Sequence, residues 1–151
     1  MSSEKLSETD LIKRLFVPLS KNYAGALNLS DDAALIPNRP DHETVVTTDC
    51  LVEGVHFLST DAPAAVAARA LRSNLSDLAA MGASPHVYTM AISIPSHIDL
   101  PWLESFAAQL AKDQNTYGIA LAGGDTVATP GPLSISITAL GHVPTGLAMK
   151  R

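Results

Sequence analysis

Residues 63–82, PAAVAARALRSNLSDLAAMG, decide the fold, because they hold the strongest helix signal in the chain. Pro63 suits a first helical position, alanine favours helix, and Gly82 is well placed to cap the end. The apolar stripe consists of three leucines: Leu71, Leu75 and Leu78. The stretch predicts a buried-face helix ending near Met81, with Asp77 among apolar neighbours, where a carboxylate favours helix poorly.

Other predicted elements flank this helix on both sides. Two further helices are expected, from Ser7 to about Leu19 and from Pro101 to Gly118. A loop is expected over 21–30, and strands over 33–36, 43–48, 86–94, 119–122 and 133–140. This order favours an α+β fold: a mostly antiparallel or mixed sheet, mainly of chain-adjacent strands, with helices on one face. The other face is partly apolar and predicts a partner surface.

Composition narrows the class of protein. With 151 residues, 46% hydrophobic and 17% charged, the chain has the material for one folded domain, 1–151. Ten Lys and Arg against fifteen Asp and Glu argue against nucleic-acid binding. The single Cys50 excludes a disulfide framework within the chain and is interpreted as structural. No signal peptide or membrane-spanning run is evident, so we expect a cytoplasmic location without a membrane partner.

Acidic residues concentrate at the ends of the predicted elements. Between Asp41 and Asp125 there are ten acids and three bases. Four segments stand out: Asp31-Asp32, Thr47-Thr48-Asp49, Asp77 and Gly124-Asp125-Thr126. Each alone is compatible with an ordinary turn. Carboxylates meeting about 5 Å apart would repel by roughly 3 kcal/mol per pair, so a cluster would require cations. Oxygen ligands favour Mg²⁺, which commonly bridges to phosphate.

The familiar phosphate-binding and nucleophile motifs are missing from the sequence. It has no P-loop, no G-x-G-x-x-G, no protein-kinase signature and no G-x-S-x-G elbow. Nucleotide chemistry would therefore run through metal ions. His56 stands out because it lies in a glycine-containing stretch just after the acidic Asp49. The other histidines are interpreted as structural: His42, His86, His97 and His142.

Four strings occur in an order that resembles a known family. They are DDAA (31–34), TTDCLVEGVHF (47–57), NLSDLAAMGA (74–83) and GGDT (123–126). Together they resemble the N-terminal domain of the thiamine-monophosphate kinases, in the aminoimidazole-ribonucleotide-synthetase-like superfamily, over nearly the whole chain. The second and third strings are the specific ones.

The resemblance implies a homodimeric enzyme that phosphorylates thiamine monophosphate to thiamine diphosphate, with ATP as co-substrate and several Mg²⁺ ions. Dimers of the family pair their N-terminal sheets into a barrel. By matching position, the implied metal ligands are Asp32, Thr47, Thr48, Asp49, Asp77 and Asp125. His56 would contact the thiamine phosphate, while Tyr117, Gly124, Asp125 and Arg151 would bind ATP. No residue is implied as a covalent catalyst.

Two departures and two alternatives accompany the resemblance. Ser30 stands where the family usually has glycine, and the chain ends at Arg151, where the family continues into a second domain. We therefore expect little or no turnover by this chain alone. One alternative is another synthetase of the superfamily, although a selenophosphate synthetase would typically carry a reactive cysteine in its N-terminal segment. The others are a non-catalytic dimerisation or nucleotide-binding module, or a metal-binding protein without nucleotide.

Overall fold

A computed structural model describes residues 7–150 of the chain. Its helical N-terminus is followed by one strand, two helix–strand pairs and a last strand. The elements are α1 (Glu8–Leu11), a π-helical turn (Ile12–Phe16), α2 (Val17–Ser20), a 3₁₀ segment (Ala24–Leu29), β1 (His42–Val52), α3 (Pro63–Ala80), β2 (Ser84–Pro95), α4 (Leu100–Tyr117), β3 (Ala120–Thr129) and β4 (Ser134–Pro144).

The N-terminal helix begins where predicted and contains an unpredicted π turn. Ser7 caps it, because its Oγ accepts a 3.2 Å hydrogen bond from the Asp10 N–H. Pro18 has no N–H to donate, and its ring crowds the carbonyl four residues earlier. The turn before it is widened, with the Val17 N–H bonded to the Ile12 carbonyl. A π turn of this kind relieves the crowding that a proline creates within a helix.

Helices α3 and α4 end at the predicted glycines. Gly82 follows α3 with φ +72°, and Gly118 follows α4 with φ +67°, a conformation that disfavours any side chain. The carboxylate of Asp99 caps the start of α4 by accepting the Trp102 N–H at 2.9 Å. Both predicted helices are confirmed.

The four strands form one mixed sheet in the order β1-β4-β2-β3. Strand β4 pairs antiparallel with β1 and with β2, while β2 pairs parallel with β3. The predicted α+β class with a mixed sheet is confirmed. The expectation of mainly chain-adjacent strands is wrong, because only β2 and β3 are neighbours in both sequence and sheet. Strand β4, with its strongly alternating sequence, takes an interior position in which both of its edges are paired.

The predicted strand over 33–36 is also wrong. Residues 31–40 contain no strand. The Leu35 N–H bonds instead to the carbonyl of Gly25 at 2.8 Å, and the Leu35 side chain is 66% exposed. Four apolar residues before a proline do not distinguish a strand from a loop that satisfies its backbone locally. The predicted loop over 21–30 in turn contains the 3₁₀ segment.

Helices α3 and α4 bury one face of the sheet. Helix α3 packs on β1, β4 and β2, and α4 packs on α3. The largest fully buried side chains include Tyr88, Phe106, Leu71, Leu78, Ile135 and Ile137. Since strand residues alternate between faces, Val46, Thr48 and Cys50 lie on the face that these two helices leave open. All three are exposed.

Among the described residues, no helix combines the length and the apolar character that crossing a membrane requires.

Candidate functional site

Two of the predicted acidic segments line one cavity of about 360 Å³, here called the loop cavity. One wall is the loop that follows the 3₁₀ segment, with Asp31 and Asp32. The other wall is β3, with Gly124 and Asp125. Because β3 is at the edge of the sheet, one of its sides has no strand partner and faces this loop. Carboxylates from distant parts of the sequence are thus brought to one cavity.

The rest of the loop cavity is partly polar and partly apolar. Its further polar residues are Glu8, Thr89 and Thr126, and its larger apolar residues are Ile12, Phe16, Leu29 and Leu121. Glu8 was not predicted as a site residue, because an acid in the first turn of a helix is favoured by the helix dipole alone. Thr126 could have been predicted from the sequence, because it stands next to Asp125 as Thr48 stands next to Asp49.

Gly124 is required by backbone packing. A Cβ at this position would overlap the carbonyl of Met90 on β2, whereas a Cβ at Gly123 would meet nothing within 4 Å. The pairing of β2 with β3 shifts register between Tyr88 and Thr89, beside these glycines. The structure therefore places the Gly-Gly-Asp string within a strand beside an irregularity, not in a turn.

A second group of predicted residues joins β1 to α3. The Thr47 hydroxyl Oγ1 donates a 2.8 Å hydrogen bond to the Asp77 carboxylate. Both residues line a separate cavity of about 390 Å³, here called the helix cavity, together with Met81 and Lys150. Asp49 lies two residues along β1 from Thr47, on the same face of the sheet. The side chain of Thr48 is on the other face, where its Oγ1 lies 3.0 Å from that of Thr138.

Asp77 lies in the last turn of α3, where it is electrostatically unfavourable. Carbonyl dipoles converge at the C-terminus of a helix and disfavour a negative charge there by about 0.3–1 kcal/mol. The last turn of α3 contains no basic residue to offset this. A bound cation from outside the helix would therefore offset the unfavourable charge of this carboxylate.

The two acidic groups are separated by the width of the sheet. Asp49 is in register with Ile137, Met90 and Gly124 on the successive strands. Three strand spacings put β1 and β3 about 14 Å apart. The four acidic segments were expected to meet in one pocket, but within a single chain they do not. They form two pairs: one pair lines the loop cavity, and the other joins β1 to α3. Over residues 7–150, no three His, Cys, Asp or Glu side chains are grouped closely enough to hold a metal ion.

This arrangement still fits the chemistry of Mg²⁺. Magnesium usually retains several waters and is bound by one or two carboxylates plus substrate phosphates, not by a complete protein cage. The pair Asp32 and Asp125 in the loop cavity, and Asp77 with Thr47 in the helix cavity, supply hard oxygen donors of that kind. Each group would hold its own ion, because 2.1 Å metal–oxygen bonds cannot bridge about 14 Å.

His56 lies in a tight turn after β1, and it is not among the described residues that line either cavity. Its Nδ1 accepts the Val52 N–H at 3.0 Å, and Arg69 donates to its carbonyl oxygen. Since a backbone N–H can only donate, Nδ1 is unprotonated and Nε2 carries the hydrogen in the neutral ring. The exposed His56 therefore presents a fixed N–H donor.

Tyr117 is exposed at the end of α4 and is not among the described residues that line either cavity. The guanidinium of Arg72 lies 5.9 Å from the centre of its ring. Asp113, which is buried, accepts from Arg72 Nε at 3.0 Å and from Nη2 at 2.8 Å. This carboxylate raises the pKa of Arg72 by hydrogen bonding and by its charge. Arg151, also predicted to bind ATP, lies outside the described residues.

Aromatic side chains pack behind the loop that carries Asp31 and Asp32. The ring of Tyr23 meets that of His86 edge-on, with centroids 5.4 Å apart, and His86 lies 4.7 Å from His142. Burial lowers the pKa of His86 and of His142, and the neighbouring charge of Arg39 lowers both further. Burial raises the pKa of Tyr23, so its hydroxyl remains a donor.

Residues 30–143 match the family described as AIR synthase related protein, N-terminal domain. This match covers well over half of the chain, and the chain belongs to that family. Its relatives include thiamine-monophosphate kinases, which confirms the resemblance predicted from the four strings. That of Caulobacter vibrioides is 48% identical over 145 residues, which make up 96% of this chain and 41% of the relative.

Solved structures agree with the family. The crystal structure of thiamine-monophosphate kinase from Stenotrophomonas maltophilia K279a is 39% identical, with a TM-score of 0.80, over 96% of this chain and 45% of that one. The structure of AaThiL complexed with AMPPCP and TMP is 27% identical, with a TM-score of 0.67, over 95% of this chain and 45% of that one. The chain therefore spans less than half the length of these relatives.

Proposed function

We propose that this chain is the nucleotide- and metal-binding N-terminal part of an enzyme that transfers the γ-phosphoryl group of ATP to thiamine monophosphate. The observation that carries the proposal is that Asp32 and Asp125, from two acidic segments far apart in sequence, line the same loop cavity. Support comes from the relatives named for this activity and from the solved relative that holds AMPPCP, an ATP analogue, with TMP.

The two acidic groups would have separate tasks. Asp32 and Asp125 would hold Mg²⁺ in the loop cavity, and Asp49, Asp77 and Thr47 would hold Mg²⁺ on the β1 side. The predicted ligand Thr48 is left out of this set, because its hydroxyl lies on the other face of the sheet, beside Thr138. The bound ions would neutralise phosphate charge during transfer. The protein's contribution is to hold these carboxylates on β1, β3, α3 and the loop before β1, so that an acidic chain can accept two anionic substrates.

The remaining predicted residues would bind the two substrates directly. The acceptor is itself an anionic phosphate, so no strong general base is needed. His56 would donate its Nε2–H to the phosphate of thiamine monophosphate. Gly124, with its bare backbone on the cavity wall, and the exposed Tyr117 ring would contact ATP, as would Arg151.

We also propose that the chain forms one domain, 1–151, that functions as a homodimer in the cytoplasm. The face of the sheet with Val46, which is 63% exposed, and Thr48 would pair with the same face of a second copy to form a barrel. Since the relatives are more than twice as long, we expect turnover only when their C-terminal part is supplied.

The proposal is tested by fusing this chain to the C-terminal part of the Caulobacter vibrioides relative. Radiolabelled phosphate from [γ-³²P]ATP should appear in thiamine diphosphate when thiamine monophosphate and Mg²⁺ are present. The intact relative is the positive control. A fusion that carries D49N is the matched negative control, because Asn keeps the size of the side chain and removes its charge. Equal transfer by the fusion and its D49N variant would contradict the metal assignment.

Calorimetry on the chain alone separates the remaining alternatives. Binding of ATP that depends on Mg²⁺, together with transfer by the fusion, supports the kinase. Binding without transfer to thiamine monophosphate favours a nucleotide-binding module or another synthetase of the superfamily. Binding of Mg²⁺ alone, with no affinity for ATP, favours the metal-binding protein.

A further inference from the structure

The segment from Tyr23 to Leu35 is closed at its base by two hydrogen bonds to one residue. The Leu35 N–H donates to the carbonyl of Gly25 at 2.8 Å, and the Tyr23 hydroxyl donates to the Leu35 carbonyl at 2.7 Å. Both polar backbone groups of Leu35 are thus held, while its side chain is 66% exposed. These hydrogen bonds, and not burial of the side chain, fix where this end of the loop lies.

The interior of the segment is conformationally strained. Leu27, Asn28 and Leu29 have φ values of +51°, +57° and +53°. The left-handed conformation is unfavourable for residues with a side chain, above all for leucine. A strained stretch persists only where its surroundings hold it in place. The hydroxyl of Ser30 contributes by donating to the Leu27 carbonyl at 2.6 Å, and the closed base holds the two ends.

Ser30 itself is not strained. Its φ of −107° and ψ of −4° are open to any residue. The difference from the family's usual glycine therefore creates no backbone conflict here. Its hydroxyl instead supports the turn that precedes Asp31 and Asp32.

The residues around Tyr23 fix its side chain at the base of the loop. Its half-buried ring is packed edge-on against His86 on β2. The space beside it is reserved by Gly25, because a Cβ there would lie 2.8 Å from the Tyr23 ring and would overlap the Leu35 carbonyl. The aspartates themselves are exposed, so nothing packed around their side chains fixes them.

We propose that Tyr23 is a positioning residue, which holds Leu35 so that Asp31 and Asp32 face Asp125 across the loop cavity in a geometry ready for a divalent cation. The inference rests on the proposed function for the nature of the ligand. Without the Tyr23 hydroxyl, the strained segment relaxes, and the aspartates must be ordered at the moment the ion binds. The expected consequence is weaker cation binding in a protein that remains folded.

The test compares Y23F with the unsubstituted chain, using Mn²⁺ in the presence of ATP as the probe. Hydrogen exchange at the Leu35 amide should become faster, while exchange in β2 and β4 stays unchanged. Electron paramagnetic resonance should give a dissociation constant for Mn²⁺ raised about fivefold, as expected for one neutral hydrogen bond. G25A should reproduce both effects, since it removes the same contact by steric overlap.

The matched control is Y88F. The Tyr88 hydroxyl accepts a 3.0 Å hydrogen bond from Gln114 in the core and does not touch the loop. Y88F should lower the melting temperature without changing Mn²⁺ affinity or exchange at Leu35. If the unsubstituted chain binds Mn²⁺ and both Y23F and G25A bind it equally tightly, the role of Tyr23 is overturned and the proposed function is not. No Mn²⁺ binding by the unsubstituted chain would overturn the proposed function and this role together.

Discussion

The Thr47 hydroxyl on β1 donates a 2.8 Å hydrogen bond to the carboxylate of Asp77 in the last turn of α3. This contact joins two segments that stand out separately in the sequence as acidic and hydroxyl-rich. The Asp77 carboxylate lies at the negative end of α3, and the last turn of this helix contains no basic residue. The stability of the chain and its function should therefore make opposite demands on Asp77.

We predict that D77N leaves the free energy of unfolding unchanged or raises it by up to about 1 kcal/mol when no divalent cation is present. The asparagine oxygen still accepts from Thr47, and the unfavourable charge is removed. Urea denaturation in EDTA measures the change. The control is D61N, since Asp61 lies just before α3 and its carboxylate accepts the Leu58 N–H at 3.0 Å. D61N should destabilise, because the N-terminus of a helix favours the negative charge that asparagine lacks. A large loss of stability in D77N would mean that Asp77 is structural.

The adjacent glycines of β3 should respond differently to alanine. G124A should destabilise by about 1–3 kcal/mol, because the new methyl group overlaps the Met90 carbonyl of the neighbouring strand. G123A should be neutral or slightly stabilising, since its Cβ meets nothing within 4 Å. Thermal unfolding of the two variants provides the comparison. Equal melting temperatures would contradict the close approach of β2 and β3 at Gly124.

Stability should fall as the pH is lowered through the range in which free histidine titrates. Folding lowers the pKa values of His86 and His142 below the value of about 6.5 that histidine has in the unfolded chain. Below that pH the unfolded chain therefore binds more protons at these two residues than the folded chain does, and acidification favours unfolding. The loss therefore begins near that pH on acidification and continues down to the folded pKa values. The groups facing these rings are Tyr23, His42 and Arg39.

Urea midpoints at pH 7.5 and 5.5 test this pH dependence, because few carboxylates titrate in that interval. The unsubstituted chain should lose more stability over it than the double variant H86N/H142N. His97, which is exposed and lies 3.3 Å from Glu53, supplies the matched control H97N. A double variant with the same pH dependence as the unsubstituted chain would exclude His86 and His142 as its cause.

Removing one partner of the ion pair between Arg72 and Asp113 should destabilise the chain more than replacing both partners with apolar residues. The Asp113 side chain is 1% exposed, so R72M leaves a buried carboxylate whose one remaining side-chain donor among residues 7–150 is Gln109. Removing one partner of such a pair is more destabilising than replacing both with apolar groups. We expect R72M to lower the melting temperature and R72M/D113L to recover part of it. A double variant less stable than R72M would contradict this prediction.

Much of the fold could be predicted from local signals. Pro63 and Gly82 bound α3, and Gly118 ends α4, because proline and glycine have specific backbone requirements that sequence alone reveals. The order of the strands could not be predicted in this way, since the position of β4 between β1 and β2 depends on contacts between distant residues. The failed strand at 33–36 has the same origin: its backbone found partners in Gly25 and Tyr23, which no periodicity indicates.

Residues of the candidate site could be singled out from the sequence, but their arrangement in space could not. A carboxylate next to a hydroxyl, or in an unfavourable helix position, is a local signal, and it singles out Asp49, Asp77 and Asp125. Their division into two groups follows from the sheet order, which puts β1 and β3 at opposite edges. The contribution of Tyr23 was not visible in the sequence, because a tyrosine in a loop has no signature until its hydroxyl is seen to bond the Leu35 carbonyl.

The most direct test is the affinity of the chain for ATP with and without Mg²⁺, measured by calorimetry on the unsubstituted chain, D77N and D125N. We predict ATP binding that requires Mg²⁺ and is at least about tenfold weaker in each variant, as for loss of a charged interaction of about 1.4 kcal/mol or more. ATP binding that is equally tight in EDTA, or unchanged in both variants, would contradict a nucleotide site built on these two groups of carboxylates.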